Sequence, residues 1–269
     1  MTLPNAGDLD YLDHLARESA RFAQAVGEVP ADTAVPSCPD WTAADLLWHL
    51  GQVQWFWGTV VRDRLDGGAA QALIPDRPAT WTGLQEFYHA ASRELGLQLA
   101  AATPDTPAWT WAQDQTVGFI RRRQAHEALI HRIDAELTAG CRTPMVPPLS
   151  ADGVDEALRI MYGGGPEWAS FTPRGGQTVR IQATDTGQSW LVALGRFAGT
   201  DPGDQTSFDE PGMQIADSDS GAEAAATISG DAADLNCWLW HRPPLGAVDR
   251  AGDAEALAAF EASTAAGIN

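Results

Sequence analysis

The chain contains no lysine; all 17 of its basic residues are arginine. Covalent chemistry through a lysine Schiff base is therefore excluded. Positive charge is scarce altogether: 17 basic residues stand against 36 acids, for a formal net charge of −19, and both halves of the chain are acidic. A nucleic-acid or anionic-membrane surface is not expected on such a chain. Long apolar runs are missing, so no segment is read as a membrane span. The opening residues, MTLPNAGDLDYLDHLA, have neither a basic start nor an apolar stretch, and no export signal is read there. Cysteine is sparse. Cys38, Cys141 and Cys237 are far apart and form no CxxC, and the expectation is a cytoplasmic protein with reduced thiols.

What the chain does have is enough apolar residue, 44% of 269, to bury a core. Two compositional regimes meet at CRTPMVPPLS, residues 141–150. Before it, helical periodicity dominates; after it come Gly, Thr and Asp punctuation and short alternating runs. The expected domains are residues 1–145 and 150–269. In the first, helices are expected over about 8–28, 42–64, 82–101 and 117–139. The second of these has a capping-box pair in Thr42 and Asp45 and a hydrophobic staple in Trp41 and Leu46. Gly140 suits the position just past the end of the fourth. Four helices of this length fit a bundle. In the second domain, SADGVDEALRIMYGG reads as a helix. TVRIQATD and SWLVALGRF read as strands joined near Thr186 and Gly187. GMQIADS and AEAAATISG read as two further strands. DAADLNCWLWHR and DAEALAAFEAST read as helices, which makes a small α+β domain.

The stretch RRRQAHEALIHRIDAEL carries His126, Glu127 and His131. It comes within one residue of the HExxH of a zinc protease, but that geometry needs its two histidines four apart. Five residues put His126 and His131 about 140° apart on a helix, whereas Glu127 and His131, four apart, share a face. A third candidate is His49, in DLLWHLGQVQWFW. A buried imidazole there needs a partner, and either a metal or a buried glutamate serves. By spacing alone, Glu127 and His131 read more readily as a solvated pair, and His49 as a core histidine. His126 reads as a supporting or surface residue. Arg242 has the planar fork that suits a carboxylate, with a surface arginine at a helix end as the alternative. Trp48, Trp55 and Trp57 flank His49, and Trp238 and Trp240 lie near Arg242. Each is a pocket wall or plain core. Arg121 to Arg123 read as a solvated or domain-contact cluster, with contact to an anionic ligand as the alternative. Asp134 and Glu136 read as supports for the ligands or as solvent-facing groups, and Cys38 as a packing residue.

Together, VPSCPDWTAADLLWHLGQV and QAHEALIHRIDAE resemble the two signature segments of the mycothiol-dependent maleylpyruvate isomerase family. That family belongs to the DinB-like metal-binding four-helix bundles. ADLNCWLWHRPP resembles the family's C-terminal domain, with His241 where the family has a small residue before the arginine. The resemblance covers nearly the whole chain. It implies a DinB-like four-helix bundle followed by a small α+β domain with a mainly antiparallel sheet. It implies a metal, zinc, on His49, Glu127 and His131, and mycothiol as thiol cosubstrate. It also implies a small-molecule electrophile, attacked in an isomerase or thiol S-transferase reaction. Arg242 is then the candidate catalytic residue, and Trp48 and Arg242 the candidate cofactor contacts. A metal-dependent hydrolase and a non-catalytic metal- or ligand-binding protein on the same scaffold are the other readings. The expected state is a monomer or weak homo-oligomer.

Overall fold

A computed structural model describes residues 9–216 and 223–268. The chain divides into two compact units. One holds Asp10–Thr143 and the other runs from Pro144 onward. In the first, the element order is α1 (Tyr11–Gly27), β1 (Ala34–Val35), β2 (Cys38–Thr42), α2 (Ala43–Asp63), α3 (Gly67–Gln71), α4 (Trp81–Ala101) and α5 (Val117–Ala139). Of the four long helices, α1 packs against α5, and α2 against both α4 and α5. Phe22, Leu46, Leu47, Leu50 and Tyr88 fill one end of the interior. Leu95, Leu99, Ile120, Val60 and Trp57 fill another part. The four helices start and stop close to where the periodicity puts them. Two small elements were not expected. The β1–β2 pair has Pro39 inside it and little burial, so no alternation announces it. The short helix α3 sits in a polar loop. It is capped by Asp66, whose carboxylate accepts from the Ala69 N–H at 2.8 Å. Gly67 begins it because a Cβ there would lie 2.1 Å from the Trp109 ring.

The start of α2 matters for function because His49 lies two turns along it. The Thr42 hydroxyl accepts from the Asp45 N–H at 3.3 Å, and the Asp45 carboxylate accepts from the Thr42 N–H at 2.8 Å. This is the reciprocal cap the sequence suggests. Trp41 packs on the cluster that contains Leu46, as a staple requires. Thr42→Ala is expected to cost about 1 kcal/mol, measured as a lowered urea midpoint at an unchanged slope.

The helix α5 is different in kind, because it is buried on nearly every side while carrying many charges. Arg123, His126, His131, Arg132, Asp134 and Glu136 are all buried. Buried charges require partners, and these largely find them. Glu136 accepts from Arg21 Nε at 2.7 Å, from Arg132 Nη1 at 3.0 Å and from the Thr143 hydroxyl at 2.6 Å. Arg132 also donates to Glu18 at 2.7 Å. This network ties α1 to the C-terminal half of α5. At its end α5 stops on Gly140, whose φ of 67° is left-handed and open to glycine without strain.

The second unit begins with α6 (Pro147–Glu156). Its last turn widens into a π-helical stretch, Ala157–Met161, where the Tyr162 N–H donates to the Ala157 carbonyl at 2.9 Å. There follow β3 (Ala169–Ala183), β4 (Ser189–Thr200), β5 (Ser207–Ile215), β6 (Ala226–Gly230), α7 (Ala232–Leu239), β7 (Asp249–Gly252) and α8 (Ala254–Thr264). The sheet order is β5-β4-β3-β6-β7. Only β3 and β6 run parallel; the other neighbours are antiparallel. Two features depart from expectation. The strand β3 starts well before TVRIQATD, because a register shift between Pro173 and Thr178 absorbs Pro173, Gly175 and Gly176, residue types that interrupt a regular strand pattern. The strand β7 was not expected; it is four exposed residues at the sheet edge, too short to carry a pattern. The last two residues of the predicted GMQIADS strand, Asp217 and Ser218, and the first of AEAAATISG, Ala222, lie outside the described residues.

Candidate metal centre

On α5 the residues Arg123, Glu127, His131 and Asp134 follow one another at spacings of four, four and three. A helix places such residues on a single face. The α2 helix presents His49 to that face. Glu127 Oε1 lies 3.4 Å from His49 Nε2 and 3.2 Å from His131 Nε2. The three donor atoms all lie within 4.8 Å of one another. The two imidazole rings meet nearly edge-on, with centroids 4.7 Å apart. His49 is not the buried core histidine that its apolar neighbours suggested, since its side chain is 29% exposed. Its partner is the carboxylate.

Each donor is held by something behind it. His131 Nδ1 is 2.9 Å from Asp134 Oδ2, and the other Asp134 oxygen accepts from the Ser37 hydroxyl at 2.6 Å. With Nδ1 donating to a carboxylate, Nε2 is the nitrogen left to bind a cation. Glu127 Oε2 accepts from Arg123 Nη2 at 2.8 Å, which leaves Oε1 to face the histidines. Trp41 covers the pair, its ring 4.7 Å from His49 and 6.3 Å from His131.

The charges follow from this geometry. Burial by itself pushes the Glu127 carboxyl up, but His131, His49 and Arg123 hold it well below the usual carboxylate range. Burial disfavours the charged His131 ring, yet Glu127 and Asp134 carry its pKa up to about 9. In the metal-free protein at neutral pH, a proton on His131 therefore sits where a cation would sit. The donor set passes a simple geometric test. Zinc–ligand bonds of about 2.0–2.1 Å in a tetrahedron put neighbouring donors about 3.3 Å apart; the two separations from Glu127 are 3.2 and 3.4 Å, and the two histidine nitrogens lie within 4.8 Å of each other.

The remaining sequence candidates fall elsewhere. His126 is buried and lies edge-on to Tyr11 at 6.3 Å, outside the donor cluster. Arg121 to Arg123 are not a solvated patch: Arg121 donates to the Leu99 and Ala102 carbonyls at 2.7 and 2.6 Å, and Arg123 is buried against Glu127. Arg121 closes the carbonyl end of α4, a role no local pattern announces. Glu136 faces Arg132 and Arg21 rather than water. Trp57 is core, near Phe56 and Trp109. Trp48 is half-buried and packs on Phe87 at 5.0 Å. In the second unit, Arg242 is nearly buried at the end of α7, and its Nη1 donates to the Trp240 carbonyl at 2.7 Å. Trp238 stacks on Phe260 and lies under Arg250, whose guanidinium carbon is 5.3 Å from its ring centre. Sequence reasoning missed Ser37 altogether. It saw Trp41 only as a staple and Arg123 only as part of a basic run.

Residues 12–136 match the family model described as the mycothiol maleylpyruvate isomerase N-terminal domain, and residues 148–259 match that of the MDMPI C-terminal domain. The chain belongs to the mycothiol maleylpyruvate isomerase family. Two solved structures of a mycothiol-dependent maleylpyruvate isomerase share its fold. One is described simply as that enzyme, with TM-score 0.60 and 11% identity over 94% of this chain and 98% of the other. The second is a histidine-to-alanine mutant, with TM-score 0.61 and 10% identity over the same shares. No curated protein matches the sequence. The family is a family of enzymes, and its fold is the helical region followed by a sheet-containing region expected from the sequence. Among the described residues, no helix is long and apolar enough to cross a membrane.

Proposed function

We propose that this member of the family binds a divalent metal, zinc, through His49, Glu127 and His131. It then uses a low-molecular-weight thiol such as mycothiol to attack an electrophilic small molecule. One observation carries this reading: a single carboxylate oxygen lies 3.2 and 3.4 Å from two imidazole nitrogens, close to the edge of a zinc tetrahedron. Three protein donors leave a tetrahedral ion one open position, the pattern of a catalytic rather than a structural site. When bound there, zinc supplies stabilisation of a thiolate at neutral pH.

The chain's own residues do the rest. Asp134, steadied by Ser37, holds the His131 ring so that Nε2 faces Glu127 and would be free to bind the ion. Trp41 lies against both imidazoles and limits water. Trp48, next to His49 in sequence, is assigned to ligand contact in its own unit; Arg242, whose planar fork suits a carboxylate, is assigned to anion contact in the other unit taken by itself. The reaction that suits these parts is addition of the thiol sulfur to an activated cis double bond. Rotation about the new single bond and expulsion of the same thiol then give the trans product. In a transferase the S–C bond would remain. The purified protein is expected to carry about one equivalent of zinc per chain. Mycothiol is expected to raise its melting temperature while the des-thiol analogue does not. A metal-free protein indifferent to both compounds contradicts the proposal.

Proton competition gives a second test. Metal uptake must displace the proton that His131 holds below about pH 9. The apparent metal affinity is therefore expected to fall about tenfold per pH unit on acidification below that value, read by chelator competition. The metal-free protein shows the reverse sense. The raised pKa of His131 stabilises it fully below the ordinary value of 6.5, and that contribution is lost as pH rises through about 9.

A further inference from the structure

We infer that Arg123 is a positioning residue that confines Glu127 to one-oxygen ligation and so keeps a coordination position free for the thiol. This rests on the reading of His49, Glu127 and His131 as a metal site. The two oxygens of Glu127 have different surroundings. Oε1 faces both histidine Nε2 atoms, while Oε2 is taken by Arg123 Nη2 at 2.8 Å. The Arg123 side chain is 4% exposed. A surface arginine one helical turn from a glutamate is an ordinary and weak pair. A buried one is expensive to desolvate, and this arginine is spent on the very carboxylate that faces the two imidazoles.

The chemistry of a carboxylate explains why that placement matters. Both of its oxygens can bind one divalent ion, and a bidentate carboxylate occupies two positions. Beside two imidazoles it would make the protein's share four, filling a tetrahedral shell. A charge-assisted bond to a guanidinium makes Oε2 the poorer donor and anchors it away from the ion. Turning the carboxylate to offer both oxygens would break that bond inside a buried site. Asp134 plays the matching part on the other side, where it fixes the ring of His131. Arg123 and Asp134 thus set the orientation of two donors from opposite ends of one helical face.

The test compares cobalt(II)-loaded wild-type protein with cobalt(II)-loaded Arg123→Met and Arg123→Lys. Wild type is expected to show the intense visible absorption of four-coordinate cobalt. In Arg123→Met those absorption bands should shift in position as the second oxygen replaces solvent on the ion. Mycothiol affinity should fall at least tenfold, while cobalt affinity changes less than tenfold. Arg123→Lys, which keeps a cation near Oε2, should recover part of both signals. A folded Arg123→Met protein with the wild-type spectrum and thiol affinity overturns the role of Arg123 and leaves the metal site standing. A wild-type protein that takes up no cobalt overturns the site and this role with it. If Arg123→Met does not fold, Arg123→Lys decides by the same two signals. Failure of both variants to fold makes Arg123 a fold residue and overturns the positioning role.

Discussion

His49→Ala is expected to fold like the wild type and to lose its metal. The side chain is 29% exposed and lies at the edge of the core rather than in it, so its truncation leaves no large cavity. Its contribution to binding is another matter. A full set of four protein ligands is worth on the order of 10–16 kcal/mol to a bound zinc. One imidazole from such a set corresponds to roughly 2.5–4 kcal/mol, or a loss of about a hundredfold to just under a thousandfold in affinity. Chelator competition measures this directly, and circular dichroism checks the fold. Thiol-dependent activity should vanish with the metal. Undiminished metal content in the variant would remove His49 from the site.

Glu136→Gln is expected to show the opposite combination, a large loss of stability with the metal site intact. The Glu136 carboxylate is fully buried and serves Arg21, Arg132 and Thr143 together. Burial pushes its pKa up, but the bonds from Thr143 and Arg21 and the charge of Arg132 bring it below its ordinary value. Neutralising it leaves Glu18 as the one carboxylate bonded to Arg132 among the described residues, and Arg132 is itself 2% exposed. Breaking a buried ion pair from one side costs about 3–5 kcal/mol, which in a chain of this size lowers the melting temperature by about 10 °C. None of the three donors touches Glu136, so cobalt absorption should be unchanged. The wild type should show the same dependence on pH. Because the folded pKa is depressed, this contribution is present above the ordinary carboxylate value and is lost as pH falls through the lower folded one.

Much of the scaffold was legible because its signals are local. The Thr42–Asp45 cap, the Gly140 stop and the helical periodicities each depend on a few neighbouring residues, and the structure follows them. The grouping of Glu127 with His131 came from spacing, and His49 joined them as a histidine without an obvious partner. What spacing did not show is what stands behind the donors. Arg123 shares the face of Glu127 and His131, so the sequence contained that signal, which a run of three arginines obscured; Asp134, on the same face, read either as a support for the ligands or as a solvent-facing group. Ser37 reaches Asp134 from a loop 97 positions away in sequence, and Trp41 meets two rings on different helices. Contacts of that kind exist only once the helices have packed. The short edge strand β7 and the irregular first half of β3 escaped for a related reason, since neighbouring strands rather than intrinsic pattern hold them in place.

The central claim is that three side chains from two helices hold one cation and leave it a place for sulfur. X-ray absorption at the zinc edge tests this most directly, on the zinc-loaded protein with and without mycothiol. Without the thiol, the predicted shell contains only nitrogen and oxygen neighbours, with imidazole scattering beyond them. With mycothiol, a single sulfur should appear at about 2.3 Å. A protein that retains no zinc, or a zinc shell that gains no sulfur in saturating mycothiol, contradicts the claim.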